Sequence, residues 1–304
     1  MNLATIDIGT NTTLLLVARS GPAVEVLEER AEITRLGRGI GRQGALDGEA
    51  IARTLAVLRD FVAVARRHGA RIAAVGTEAL RRASNAAAFL GPAAEILGTE
   101  IEVIDGEREA ALTFRAVVAS FPDLRAGPLV VVDIGGGSTE IVLASDGDVQ
   151  FRTSLPLGSV RLTEAFIRHD PPTAAEQEAI AQAIDTAIAA VPFARQAAPL
   201  VGVAGTVTSL AAMAQSLASY DPARVHGYRL SRRDLGGEIA RLAAATQAER
   251  ERMTGLDPRR ADVILAGALI LDRVAAAAGV DEVRVSDRGI RWGLLHELTE
   301  AQTA

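Results

Sequence analysis

Two stretches of the chain share one pattern: an apolar run, an aspartate, a few small polar residues and a second apolar run. Residues 3–20 read LATIDIGTNTTLLLVARS and residues 129–146 read LVVVDIGGGSTEIVLASD. The apolar runs have the composition of buried strands, and the Gly, Ser, Thr and Asn residues between them favour a tight turn. The pattern therefore predicts two β-hairpins, with Asp7 and Asp133 at the ends of their first strands.

A second repeated pattern follows each hairpin at nearly the same distance. Residues 72–80 read IAAVGTEAL and residues 201–210 read VGVAGTVTSL. Both predict a buried strand, a Gly-Thr step and the start of a helix. Two repeats in the same order indicate two domains built on a common plan.

The segments between the repeats predict helices. The first helix begins after Asp47, a favourable N-cap, and ends at Gly69. In the second half, Thr173 and Glu176 have the spacing of a capping box. Further helices are predicted at about residues 207–218, 232–249 and 259–278. Each half therefore predicts an α/β domain with a mixed sheet.

Length and composition restrict the class of protein. The chain has 304 residues, enough for two domains, which we place at 1–122 (with a C-terminal helix at about 293–304) and 123–292. It has no cysteine, which excludes disulfides and thiol nucleophiles, and its net charge of −6 argues against a nucleic-acid polymer as partner. No signal peptide or long apolar run is evident, so we expect a cytoplasmic protein with no membrane partner.

The two hairpin turns are candidates for phosphate binding. A turn rich in Gly and small hydroxyl residues presents several backbone N–H groups with no bulky side chain in the way. The alternative is a pair of tight turns whose glycines satisfy backbone geometry alone. The predicted phosphate-binding residues are Gly9, Thr10, Asn11 and Thr12 in the first turn and Gly135, Gly136, Gly137, Ser138 and Thr139 in the second.

A wider set of motifs carries a family resemblance over nearly the whole chain. The motifs are, in order, DIGTNT at 7–12, GTEALRRASN at 76–85, IDGEREA at 104–110, DIGGGSTE at 133–140, GVAGTVTSLA at 202–211, RAD at 260–262 and SDRGIRWG at 286–293. This ordered set resembles the exopolyphosphatase/guanosine-pentaphosphate phosphatase (Ppx/GppA) family. The resemblance implies two actin-like (ribonuclease H-like, ASKHA superfamily) α/β domains with a phosphate-binding interdomain cleft.

The resemblance also implies roles for individual residues. Glu109 matches the family's catalytic glutamate, which activates the attacking water, and Arg81 is expected to offset charge on the transferring phosphoryl group. Gly205 and Thr206 match a turn that faces the ligand, and join Asp7 among the substrate-binding residues. The implied cofactor is Mg²⁺, with Mn²⁺ as an alternative. Its predicted ligands are Asp7, Asp133 and Glu140, of which the last two also count as catalytic.

One departure from the family pattern concerns the catalytic segment. The family commonly has two adjacent acids there, whereas this chain has Arg108 before Glu109. A cation next to Glu109 could pin its carboxylate and weaken it as a base.

The predicted function is Mg²⁺-dependent hydrolysis of the terminal phosphoanhydride bond of inorganic polyphosphate, which releases orthophosphate. The first alternative is 5′-phosphohydrolysis of guanosine pentaphosphate (pppGpp), which needs the same catalytic groups. Two further alternatives are a non-catalytic alarmone or polyphosphate sensor and a kinase of the same superfamily. A homodimer agrees with the resemblance but cannot be read from the sequence.

Overall fold

The structure, a computed structural model, describes residues 1–21, 24–193 and 198–303. Its strands are β1 Asn2–Ile8, β2 Thr12–Arg19, β3 Glu25–Ile33, β4 Arg71–Gly76, β5 Ile101–Val103, β6 Pro128–Ile134, β7 Thr139–Ser145, β8 Asp148–Leu155, β9 Leu200–Val203, β10 Arg229–Ser231 and β11 Glu282–Ser286. Its helices are α1 Ile40–Gln43, α2 Gly48–Arg67, α3 Glu78–Arg82, α4 Ala87–Leu97, α5 Gly106–Ser120, α6 Ser159–Phe166, α7 Ala174–Ile188, α8 Ala204–Ala214, α9 Pro222–Val225, α10 Arg232–Ala244, α11 Gln247–Arg250, α12 Ile264–Ala277 and α13 Ile290–Thr303.

The chain divides into two compact units. The first unit comprises Met1–Ala116 and Ile290–Ala304, and the second comprises Val117–Gly289. The first boundary lies within α5 and the second lies directly before α13, where the sequence predicts boundaries at 122/123 and 292/293.

The first unit contains a five-stranded sheet in the order β3-β2-β1-β4-β5. Strands β1, β2 and β3 are antiparallel, whereas β4 runs parallel to β1 and β5 parallel to β4. Apolar side chains of β1, β2, β4, α2 and α4 form its main core. The predicted hairpin of β1 and β2 is confirmed.

The second unit repeats this plan with one added edge strand. Its sheet has the order β10-β11-β9-β6-β7-β8. Strands β6, β7 and β8 are antiparallel, β9 runs parallel to β6, and β11 runs parallel to β9. In both sheets the first strand of the hairpin is central, so the predicted common plan and the ribonuclease H-like, actin-like fold of each domain are confirmed.

Helix termini follow the local signals in the sequence. The carboxylate of Asp47 accepts hydrogen bonds from the N–H groups of Glu49 and Ala50 and caps α2. Gly69 follows the end of α2 with a positive φ of 58°. Thr173 and Glu176 form the predicted capping box of α7. These side-chain bonds satisfy N–H groups that a helix end would leave unpaired.

The long helices predicted near the C-terminus are shorter in the structure. A single helix over 232–249 is wrong, because a second capping box, formed by Thr246 and Glu249, starts α11 after α10 ends at Ala244. The helix predicted from residue 259 begins instead at Ile264, because Pro258–Arg260 forms a separate 3₁₀ turn.

The closing helix α13 belongs to the first unit. Trp292 and Leu295 pack against Leu3 and Leu16 of β1 and β2, and the hydroxyl of Thr5 donates to the carbonyl of Arg291. Among the described residues, no helix combines the length and the apolar character that crossing a membrane would require.

Candidate active site

The first hairpin loop, residues 9–12, is held in place by the segment that follows β3. The N–H of Gly9 donates to the carbonyl of Thr12 at 3.0 Å and closes the loop. The N–H groups of Arg35 and Gly37 donate to the carbonyls of Asn11 and Thr10, both at 2.9 Å. These two loop carbonyls therefore point toward residues 35–37.

The second hairpin loop, residues 135–138, is built in the same way. The N–H of Gly135 donates to the carbonyl of Ser138 at 3.0 Å. Here the loop is held by the N-terminus of α6, where the N–H groups of Ser159 and Val160 donate to the carbonyls of Gly135 and Gly136. The first amides of a helix have no intrahelical acceptor. The loop carbonyls supply acceptors for these N–H groups of α6, and the same hydrogen bonds fix the position of the loop.

Planar peptide bonds convert this arrangement into an array of donors. In a trans peptide the N–H points away from the preceding C=O. The carbonyls of Gly135 and Gly136 are turned toward α6, and the side chain of Arg161 donates to the carbonyl of Gly137 at 2.7 Å. The N–H groups of Gly136, Gly137 and Ser138 therefore face the opposite side.

These three successive amides have no acceptor among the residues that the structure describes. The same holds, within the described part of the chain, for the amides of Thr10 and Asn11 in the first loop. Successive N–H groups of this kind form a concave site for an anion such as phosphate. The geometry favours phosphate binding over the alternative of two purely structural turns.

Two carboxylates lie side by side at the second loop. Asp133 near the end of β6 is directly opposite Glu140 near the start of β7, and the two residues are 7% and 4% exposed. The hydroxyl of Ser154, the partner of Glu140 on β8, donates to Glu140 Oε1 at 2.6 Å. Like charges at such cross-strand positions repel each other, and burial raises the free-energy cost of keeping both carboxylates charged.

This pair of carboxylates fits a divalent cation. Mg²⁺ prefers oxygen ligands and commonly takes one or two carboxylates together with water and phosphate oxygens. The third predicted ligand, Asp7, occupies the matching position at the end of β1 in the first unit and is buried. Among the described residues of either unit, no group of three or more His, Cys, Asp or Glu side chains could hold a metal ion.

The structure brings together the predicted base and the predicted arginine, both in the first unit. Glu109 lies in the first turn of α5 and is 4% exposed. The guanidinium Nη1 of Arg81, in the last turn of α3, donates to Glu109 Oε1 and to the carbonyl of Ile104. Arg81 therefore fixes the orientation of the Glu109 carboxylate and balances its charge.

Arg108 does not contact the Glu109 carboxylate as the sequence suggested. Its guanidinium makes two hydrogen bonds to Glu297 of α13, at 2.6 and 2.5 Å, and lies 3.5 Å from Glu102. Adjacent helical residues point in different directions, so Arg108 is directed toward α13. The bonds to Glu297 raise the pKa of Arg108 and lower that of Glu297.

We expect the bond between Arg81 and Glu109 to stabilise the fold as well as position the base. Arg81→Gln leaves a buried carboxylate without its cation, which should lower the free energy of unfolding by about 3–5 kcal/mol. The matched control is Arg19→Gln, because Arg19 and Glu25 form an exposed pair that contributes less than about 1 kcal/mol. Urea unfolding of both variants measures the difference; equal losses would contradict the structural role of Arg81.

The predicted Gly-Thr turn of the second unit lies inside a helix. Gly76 ends β4 and Thr77 directly precedes α3, whereas Gly205 and Thr206 lie in the first turn of α8. The two repeats are thus offset by one residue, since Asp7 pairs with Val75 and Asp133 with Val203. This offset depends on strand register, which the repeated Gly-Thr pattern does not reveal.

The first turn of α8 has a cationic neighbour. The guanidinium of Arg260 lies directly against Gly205. Burial lowers the pKa of Arg260. Thr206 is buried and packs closely against Gly267 of α12.

Two of the predicted binding residues have structural roles. The hydroxyl of Thr139 is fully buried and donates to the carbonyl of Leu157 at 2.7 Å, which ties the loop region to the segment after β8. Thr12 begins β2 and pairs with Ile33 of β3.

Sequence reasoning missed several residues that shape the two loops. Glu78 is buried and accepts a hydrogen bond from Thr10 Oγ1 at 3.2 Å. Gly37 and Gly158 lie where their chain segments touch the first and second loops, and a side chain at either would collide with Thr10 or with Gly136. The repeated Leu-Gly step at 36–37 and 157–158 was the signal that could have identified these glycines.

Comparison with known proteins agrees with the site geometry. A family model described as the Ppx/GppA phosphatase family matches residues 16–302. The chain is 37% identical over 311 residues to a Mycobacterium tuberculosis protein named exopolyphosphatase 2, and the match covers 96% of this chain and 97% of that protein.

Solved structures give the same picture. A Ppx/GppA family member from Aquifex aeolicus matches with a TM-score of 0.85 and 34% identity, covering 100% of this chain and 99% of that one. An exopolyphosphatase from Cytophaga hutchinsonii matches with a TM-score of 0.92 and 27% identity, covering 99% of this chain and 98% of that one.

Proposed function

The chain belongs to the Ppx/GppA phosphatase family, and from this we propose that it hydrolyses the terminal phosphoanhydride bond of inorganic polyphosphate and releases orthophosphate. A relative that covers nearly the whole chain is named exopolyphosphatase 2, and enzymes of this type are phosphoanhydride hydrolases. The observation that carries the proposal is the array of outward-facing amides at residues 136–138, which suits phosphate oxygens.

Phosphoryl transfer depends mainly on positioning and on electrostatic stabilisation. In our proposal the amides of the two hairpin loops hold oxygens of the phosphate chain. Glu109 accepts a proton from the attacking water as the water bonds to the terminal phosphorus, the bond to the bridging oxygen breaks on the opposite side, and the polyphosphate chain shortened by one unit is the leaving group. Arg81 acts as a positioning residue, because its bonds to Glu109 and to the carbonyl of Ile104 fix the base.

The carboxylates of Asp133 and Glu140 would hold Mg²⁺, with Asp7 as the further predicted ligand. When bound, the ion would neutralise charge that develops on phosphate oxygens. Ser154 keeps Glu140 oriented through its hydrogen bond to Oε1. The ion would also remove the repulsion between the two neighbouring carboxylates.

An assay of phosphate release tests the proposal and separates it from the main alternative. The purified protein is incubated with Mg²⁺ and either polyphosphate of several lengths or pppGpp. We expect orthophosphate from polyphosphate. Release from pppGpp alone would favour the nucleotide phosphohydrolase, which the same family includes. Release from neither would contradict the proposed activity.

The requirement for Mg²⁺ provides a separate prediction. Chelation with EDTA should abolish phosphate release, and added Mg²⁺ should restore it. Asp133→Asn removes one charged ligand, so the Mg²⁺ concentration that gives half-maximal activity should rise by about tenfold or more. The control is Asp148→Asn, an exposed residue at the start of β8 in the same sheet. An unchanged Mg²⁺ dependence in Asp133→Asn would exclude Asp133 as a ligand.

A further inference from the structure

An arginine-rich segment lies directly beside the first hairpin loop. We call residues 34–46 the arginine shelf; it contains Arg35, Arg38 and Arg42 and no acidic residue. The segment follows β3 and includes α1. It is thus a cationic stretch in a chain whose net charge is −6.

The shelf is fixed at both ends. At its start, the N–H groups of Arg35 and Gly37 bond to loop carbonyls, as described above. At its end, the carbonyl of Gly44 accepts from the N–H of Ser84 at 2.9 Å, and the N–H of Leu46 donates to Asn85 Oδ1 at 2.7 Å. The shelf therefore keeps a defined position relative to the first loop.

The apolar side chains of the shelf are buried, whereas two of its arginines are exposed to solvent. Leu36 and Ile40 are buried in the core of the first unit, together with Leu46. Arg38 and Arg42, each two positions after an anchor, are exposed. The backbone of the shelf is thus held by its apolar side while its cationic side faces solvent.

The charges of Arg38 and Arg42 are not balanced by neighbouring acids. Within residues 1–21, 24–193 and 198–303, neither guanidinium forms an ion pair or a side-chain hydrogen bond. By contrast, Arg30 and Arg82 in the same unit pair with Glu28 and Glu78. These unpaired guanidinium groups belong to a segment that bonds to the carbonyl side of the first loop, so they suit phosphate oxygens of a chain that extends past the loop, and they can bind such oxygens through two N–H groups at once.

We propose that Arg38 and Arg42 bind phosphates of a polyphosphate chain beyond those held at the first loop. This inference rests on the proposed function. A polyphosphate chain carries negative charge at every phosphate, so a chain long enough to reach the shelf gains contacts that a short one lacks. The shelf thereby gives the site a preference for longer chains. A solvated loop without a ligand is the competing explanation.

A comparison of chain lengths tests this proposal by direct binding. Dissociation constants for pyrophosphate and for long-chain polyphosphate are measured by calorimetry in Glu109→Gln protein, so that turnover does not interfere. Adding Arg38→Gln and Arg42→Gln should weaken binding of the long chain about tenfold and change binding of pyrophosphate by less than about twofold. The difference should shrink at high salt, because exposed charges are screened.

The matched control is the pair Arg59→Gln and Arg66→Gln, which removes the same charge from the exposed face of α2. We expect it to leave both dissociation constants unchanged. Equal weakening of binding for pyrophosphate and long-chain polyphosphate, or equal effects of the shelf and control variants, would contradict the proposed role of the arginine shelf. Absence of phosphate release by the unmodified protein would instead contradict the proposed activity, while the length-dependent binding would still decide the role of the shelf.

Discussion

Replacement of Glu109 by glutamine is expected to lower the turnover number for phosphate release by about 10²–10⁴-fold, the usual contribution of a general base. Glutamine keeps the size of the side chain and an oxygen that can accept the hydrogen bond from Arg81. It cannot accept a proton from water. The substitution therefore removes the base while preserving the local packing of a residue that is buried in the first turn of α5.

The control for this variant is Glu107→Gln, an exposed glutamate in the same helical turn. We expect Glu107→Gln to retain full activity. Binding of long-chain polyphosphate to Glu109→Gln should stay within about threefold of the unmodified value, because the loops that hold phosphate are untouched. Undiminished turnover in Glu109→Gln would remove this residue from the mechanism.

Substitution of Gly158 by alanine should cause the second large loss of activity. A Cβ atom at Gly158 would lie 2.3 Å from the carbonyl oxygen of Gly136 and 2.5 Å from the carbonyl carbon of Gly137. These are backbone atoms of the loop and cannot rotate away, so the loop must move. A displacement of about 1 Å can cost about 100-fold in rate, and overpacking should lower the free energy of unfolding by about 1–3 kcal/mol.

The matched control is Gly236→Ala in α10, where a Cβ atom would meet no other atom within 4 Å. Alanine is a better helix former than glycine, so we expect this variant to be as stable as the unmodified protein or slightly more stable. Phosphate release and thermal unfolding are measured for both variants. Full activity in Gly158→Ala would show that the position of the second loop does not matter for catalysis.

The duplicated hairpins could be predicted because their signal is local. Apolar strands and small turn residues lie next to each other in the sequence, and the positions of Asp7 and Asp133 at the strand ends follow from strand length. Capping residues such as Asp47 are local signals as well, which is why the start of α2 could be located.

The contacts of the charged side chains could not be predicted in this way. Arg81 and Glu109 are 28 positions apart, and Arg108 and Glu297 are 189 positions apart. These pairs depend on how α3, α5 and α13 pack on the sheet. Arg108 was associated with Glu109 because the two are adjacent in sequence, although adjacent residues of a helix do not face each other.

The support of the two loops is also a tertiary feature. The segment after β3 holds the first loop, and the N-terminus of α6 holds the second. The local sequences of these supports differ, except for the shared Leu-Gly step that allows close approach. Sequence periodicity cannot show that a helix terminus bonds to a particular turn, so the orientation of the loop amides emerges from the structure alone.

If the loop amides bind phosphate, their resonances must respond to it, and an amide spectrum measures that response residue by residue. The ¹H–¹⁵N spectrum of Glu109→Gln protein is recorded during titration with pyrophosphate in the presence of Mg²⁺. We predict that the largest shifts occur at the amides of Gly136, Gly137 and Ser138, with those of Thr10 and Asn11 next. Saturable shifts confined to other residues, with these amides unmoved, would contradict phosphate binding at the two hairpin loops.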